Sequence, residues 1–171
     1  IEIVTQDMPF LVDSVTAELN YQGLTVHLVI HPIFQVTRTA AGVMKNCAVR
    51  PEDGARAESF MHFEVNEQTD PNTLANLTAR LEQVLQDVSA SVQDWTDMRG
   101  KVAGILEDLD AQPKKIAKAE VEETRAFIEW MLDDHFTFLG YREYDHVGTG
   151  AKQKLKAQAG GLGLLRSAEQ E

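Results

Sequence analysis

The chain has 171 residues, with Lys+Arg 16 against Asp+Glu 27, a formal net charge of −11 and a hydrophobic share of 43%. That is room for one domain, or one and a fraction, with apolar mass enough for a core, which excludes wholesale disorder and fibrous repeats. The longest apolar runs, such as Val26–Ile30 and Leu162–Leu165, fall far short of the roughly 20 residues that cross a bilayer, and the acidic balance repels phosphates, so neither a membrane nor nucleic acid is an expected partner.

Residues 1–5 alternate around β-branched side chains and read as a strand, which Gln6-Asp7-Met8-Pro9 ends with turn chemistry. A strand opening directly at Ile1 leads us to expect a piece cut from a longer polypeptide. From Phe10, the positions Leu11, Val12, Val15 and Leu19 fall at helical spacing until Gly23 stops the run. Asp7 or its neighbouring backbone is expected to satisfy the first free N–H groups, with Pro9 where a helix tolerates the missing donor.

Leu24–Arg38 is the richest β segment. It places Val26, Leu28 and Ile30 on one face and His27, Val29, His31 and Ile33 on the other, with Pro32 implying a bulge, bend or edge. Thr39-Ala40-Ala41-Gly42 reads as a reversal, and the Pro51-Glu52-Asp53-Gly54 cluster as part of a long polar connection. The next strand, Ala57–Asn66, shares Met61, Phe63 and Val65 on one face and Phe60, His62 and Glu64 on the other. Asp70-Pro71 then starts a helix as an N-cap followed by proline.

Apolar residues from Leu74 to Met98, and on to Leu109, keep three-and-four spacing. They predict one long helix ended by Gln112-Pro113, with Gly100 and Gly104 marking a kink or break. Val88, Ala90 and Val92 also alternate as a short strand would, but the longer periodicity favours helix. After the basic connector Lys114-Lys115, Ala119–Asp133 reads as another helix with Glu120, Glu122 and Glu123 at its positive end. Phe136–Tyr144 reads as an aromatic strand, and Gly148–Gly163 as a polar, glycine-rich tract. The predicted organisation is a first domain over 1–112, a connector and helix over 113–135, and the start of a partly flexible second module over 136–171.

The order strand, helix, strand, strand, helix defines an α+β, split βαβ or ferredoxin-like sandwich with an antiparallel sheet and helices on one face. The opposite face, including His27, Val29, His31, Phe60 and His62, is then left for a partner. Trp95 and Trp130 are natural anchors for such a contact, or core residues.

Other chemistry is weakly supported. Gly160-Gly161-Leu162-Gly163 follows a lysine-rich polar stretch and precedes no convincing helix, so it reads as a flexible turn rather than a dinucleotide loop. His27 and His31 lie about 13 Å apart by strand rise, too far for one metal ion without a bulge, so we expect no metal site there or with His62. Asp133, Asp134 and His135 read as solvated groups at a helix end rather than acid and base catalysts. Cys47 has no local activator, and Ser14 lacks the glycine-flanked elbow of a hydrolase. A single cysteine without a basic-then-apolar leader leads us to expect a cytoplasmic protein.

Five dispersed segments carry a family likeness: Asp7-Met8-Pro9-Phe10-Leu11-Val12-Asp13-Ser14-Val15, Val26–Pro32, Glu58-Ser59-Phe60-Met61-His62, Val92-Gln93-Asp94-Trp95 and His135–Tyr144. In that order they resemble the N-terminal region of the large bacterial NAD-specific glutamate dehydrogenases. The resemblance implies a first ACT-like regulatory module of a very long oxidoreductase whose NAD-dependent catalysis lies elsewhere. This fragment would then hold no catalytic residue, cofactor or metal of its own. Its partners would be other domains of the chain, a second copy in a homo-oligomer, and an amino-acid effector. ACT modules bind effectors near the loop from the first strand to the first helix, where glycine commonly follows an Asp-x-Pro step. Asp7 and Pro9 match that step. Phe10 stands at the glycine position and removes the close backbone approach glycine permits, which speaks against binding in the usual pocket. A free-standing amino-acid sensor and a structural oligomerisation domain are the competing readings.

Overall fold

The structure, a computed structural model, describes residues 1–50, 53–111 and 116–166. Pro51-Glu52 of the polar connection, the helix end at Gln112-Pro113 and the connector Lys114-Lys115 lie outside the described residues. The chain forms two compact units, Ile1–Val88 and Ser89–Glu171. The division thus falls at residue 88, within a helix, where the sequence places the first boundary at 112. Trp95, Met98 and Val102 sit in the core of the second unit, which draws the end of the long apolar stripe into it.

The first unit runs β1 (Glu2–Gln6), α1 (Leu11–Tyr21), β2 (Val26–Ile30), β3 (Ile33–Arg38), β4 (Met44–Ala48), β5 (Arg56–Val65) and most of α2 (Pro71–Gln93). β5 pairs antiparallel with β1 and, in succession, with β2 and β3; β3 carries β4 on its far side. β1 and β2 therefore run parallel with β5 between them, the α+β split arrangement expected of a ferredoxin-type sandwich. Pro32 has no N–H to give the ladder, so the long β segment divides there. The Phe60 amide still donates to the Pro32 carbonyl at 3.0 Å across the gap.

Met61 and Phe63, 2% and 0% exposed, face inward from β5. Leu11, Val15 and Leu19 of α1 and Leu77, Leu81 and Val88 of α2 are also buried. An ion pair from Arg80 to Glu18, Nε–Oε1 3.1 Å, ties the two helices together. α2 begins at Pro71 with the Asp70 carboxylate accepting from the Thr73 amide at 2.8 Å, as an N-cap does. Helix wins over strand at 88–92. The break in the long helix falls at Asp94, between α2 and α3 (Trp95–Ala111), and not at Gly100 or Gly104, which lie within α3.

Two further differences follow from backbone chemistry. The residues 44–48, read from sequence only as connection, form β4, because the turn closed by Gly42 at φ +80° folds the chain back on β3. The partition of the β2 face is also offset by one residue. The register opposes Ile30 to His62 and Val29 to Phe63, after a shift between Val26 and Leu28. Leu28 and Ile30, not Val29, thus share the outer face with Phe60 and His62, since one residue of slip flips every side chain to the other face.

The second unit contains α3, α4 (Lys118–Trp130), a π-helical turn at Met131–His135, β6 (Gly140–Tyr141), β7 (Tyr144–Val147), a short 3-10 turn at Gly150–Lys152, β8 (Lys154–Ala157) and β9 (Leu162–Gly163). Its core gathers Met98 and Val102 of α3, Ile128 of α4 and Phe138. β6 pairs with β9 and β7 with β8. The continuous aromatic strand expected over 136–144 is instead two short strands, β6 and β7, with Phe136 and Phe138 ahead of them in edge contact, centroids 5.1 Å apart.

Candidate functional site

The β1–α1 loop turns between an ordered strand and a buried helix face, and it is held by side chains from three places in the sequence. The Asp7 amide donates to the Ala57 carbonyl at 2.9 Å. The Ser59 hydroxyl, on a residue with no exposed surface, donates to Asp7 Oδ1 at 2.6 Å, and His31 Nε2 lies 2.9 Å from Ser59 Oγ. The hydroxyl proton is committed to Asp7, so the imidazole must be the donor, and the chain runs from His31 through Ser59 to Asp7. This satisfies a buried polar side chain. It is not a nucleophile triad, in which histidine would occupy the middle and accept the serine proton.

Asp7 is thus engaged with Ser59, and α1 starts without a side-chain cap. The residue at its N-cap is Phe10, with φ 71° and ψ 0°, left-handed backbone that glycine adopts freely. Phenylalanine here costs conformational energy, and its ring stays half exposed. The loop thus adopts at Phe10 a backbone conformation that suits glycine. Pro9 precedes Phe10 in the turn and is exposed, two positions before the first helical residue Leu11 and not at the first helical position where the sequence places it.

The other predicted residues disperse. His27 is exposed at the register shift of β2. His62 has Glu2 at 3.6 Å and Glu64 at 3.7 Å on its two ring nitrogens. Trp95 packs on the second unit's core with Phe138 at 6.0 Å between centroids, whereas Trp130 is 46% exposed and stacks with Phe127 at 6.1 Å and His135 at 5.2 Å. The tryptophans therefore divide between core and surface. Asp134 pairs with Arg99 at 2.7 Å; Asp133 lies 3.8 Å from His135. Cys47 is exposed on β4, and Ser14 lies in the first turn of α1.

Three shielded carboxylates carry the strongest electrostatics. Hydrogen bonds from Arg38 to Glu58, at 2.7 and 2.6 Å, hold that carboxyl below its usual range; Arg80 and then Gln22 do the same for Glu18. In the second unit Asp94 is lowered by Arg166, at 2.7 and 3.1 Å, and by the Gly163 amide at 2.7 Å. These pairings are not legible in the sequence because each arginine partner lies 20 or more positions away.

The glycine run does not fit a dinucleotide. The Gly163 amide is already bonded to a carboxylate, and a Cβ at Gly161 would lie 1.8 Å from the Leu165 carbonyl oxygen, so these glycines serve close packing. β9 is followed by a turn at 164–166 and not by the helix that would receive a pyrophosphate.

A split antiparallel sheet with α1 and α2 and an Asp-x-Pro loop places the first unit among ACT-like domains of ferredoxin type. Residues 1–81 match the family described as glutamate dehydrogenase, ACT1 domain. The chain is 36% identical over 170 residues, 97% of its length, to the NAD-specific glutamate dehydrogenase of Halomonas elongata. It is 35% identical over 146 residues, 84% of its length, to that of Pseudomonas aeruginosa, and 23% over 145 residues to that of Mycobacterium tuberculosis. It spans 10%, 9% and 9% of those relatives' own lengths. The chain belongs to the NAD-specific glutamate dehydrogenase family, as a fragment of its N-terminal ACT-like region. No helix among the described residues is long and apolar enough to cross a membrane.

Proposed function

We propose that this chain is a noncatalytic regulatory and assembly segment of a large cytoplasmic glutamate dehydrogenase. The intact enzyme would convert L-glutamate, NAD and water to 2-oxoglutarate, ammonium and NADH, with NAD bound by residues outside this segment. Other domains of the same chain, and a second copy in a homo-oligomer, are its partners. The observation that supports this most is the ACT-type match over residues 1–81, combined with a glycine tract whose amide and Cβ space are already occupied.

The test is glutamate-dependent NADH formation by the isolated chain, with light scattering to follow its mass. Absence of turnover together with self-association is the expected result, and robust turnover would overturn the division of labour. A free-standing amino-acid sensor is the second reading, favoured by the partly buried His31–Ser59–Asp7 chain at the effector loop. It requires saturable amino-acid binding that is lost in Asp7→Asn. His62 on the outer face, His27 at the register shift of β2, and exposed Trp130 are proposed contact residues, to be checked by solvent-exchange footprinting of the assembled enzyme.

A further inference from the structure

At the opposite end of α1 from the Asp7 loop, about 16 Å away by helix rise, lies an open cleft of about 430 Å³. Leu24 and Leu77, each 7% exposed, supply its apolar part. Around them stand the carboxamides of Gln22, Gln68, Asn72 and Asn76, with Thr73 beside them and no charged lining residue. The volume falls within the roughly 300–1,000 Å³ of small-molecule sites.

The hydrogen bonding of this end distinguishes structural amides from the others. Asn66 accepts from the Thr25 amide at 2.8 Å, and Gln22 donates to Glu18 at 2.8 Å. Thr73 is used by the Asp70 cap, which also occupies the start of α2, so the cleft does not depend on a bare helix end. Among the described residues, no hydrogen bond engages the carboxamides of Gln68, Asn72 or Asn76. Each offers one acceptor and two donors. Unbonded carboxamides around an apolar floor, without a charge to neutralise, complement a ligand that is itself a neutral carboxamide on a short aliphatic stem. A carboxylate there could use only the N–H donors of these amides, would leave their oxygens unmatched and would find no cation to offset its desolvation.

We propose that the Gln68–Asn72–Asn76 cleft is a binding site for a small ligand bearing a primary carboxamide, with L-glutamine as its simplest probe. The stem lies on Leu24 and Leu77, the amide pairs with the side-chain amides, and the charged α-groups stay hydrated at the open mouth. This site is separate from the Asp7 loop, and its occupancy does not depend on whether the segment is regulatory.

The experiment is titration of the 171-residue chain with L-glutamine and with its charged isostere L-glutamate, read by calorimetry and by backbone amide NMR shifts. Saturable glutamine binding is expected, with shifts confined to residues around 22–24 and 68–77 and a preference over glutamate of about tenfold, the equivalent of one net hydrogen bond. Asn76→Leu should weaken glutamine at least as much, while Asp7→Asn leaves it unchanged; Asn76 is exposed, and an unchanged circular dichroism spectrum will certify the fold. No saturable binding, equal affinity for the two amino acids, or shifts centred on residues 7–10 would each overturn the assignment. Glutamate-dependent NADH formation would instead overturn the proposed function and leave this test intact.

Discussion

The two compact units are built by different means. In the first, period-two strands and period-3.6 helices bury their own apolar faces, and the deepest side chains, Phe63, Leu11, Leu19 and Val15, come from regular elements. In the second, the strands have only 2 to 4 residues, and a carboxylate at a helix break secures the returning chain: Asp94 holds both the Gly163 amide and Arg166. Where elements are long, apolar burial specifies the fold. Where they are short, buried polar contacts take over that task, and their removal leaves unsatisfied partners behind.

The sharpest way to break the contrast is to remove one element of each kind. Phe63→Ala should cost the first unit about 3–5 kcal/mol, as large cavities do, seen in urea denaturation as a lower midpoint for that unit. Asp94→Ala should cost the second unit about 2–3 kcal/mol, because charged hydrogen bonds and a buried amide are lost together. Hydrogen exchange at 139–141 and 162–163 would report it. Equal protection in the variant would show that packing alone holds those strands.

Acid should affect both units. Glu18, Glu58 and Asp94 have folded pKa values below their unfolded ones. Each contributes stability that is present above the unfolded value, near the model-compound values of about 4, and lost as pH falls through the lowered folded value. Denaturation midpoints should hold from pH 7 to pH 5 and decline below, and less so in Asp94→Asn for the second unit. The smallest effect is a gain. Phe10→Gly should stabilise the first unit by about 0.5–1 kcal/mol through relief of left-handed backbone, measured as a raised midpoint.

The contrast also explains what the sequence reveals. The α1 stripe, the Asp70-Pro71 start of α2 and the alternation of β5 rest on contacts within a few residues, so periodicity exposes them. The one-residue offset of β2 escaped because the register shift beside His27 has no sequence signature. Pro32 announced a break but not that β2 and β3 share one neighbour. At the candidate loop, Asp7, Pro9 and Phe10 were visible as a motif. Ser59, and the placement of His31 beside it, were not, since the register Thr5–Ser59 and the pairing of Ile30 and Ile33 with β5 bring them to the loop. A serine among inward-facing apolar residues of a strand is the signal that could have found it, because a buried hydroxyl needs a partner.

The Asp94–Arg166 pair joins residues separated by 72 positions. Closing so long a loop carries a large chain-entropy cost, so the pair is expected to form only after the intervening helices have condensed. Interactions absent from the folding transition state act on one rate alone. Disrupting this pair should therefore leave the refolding rate nearly unchanged and accelerate unfolding, so that the pair governs how long the second unit survives once folded.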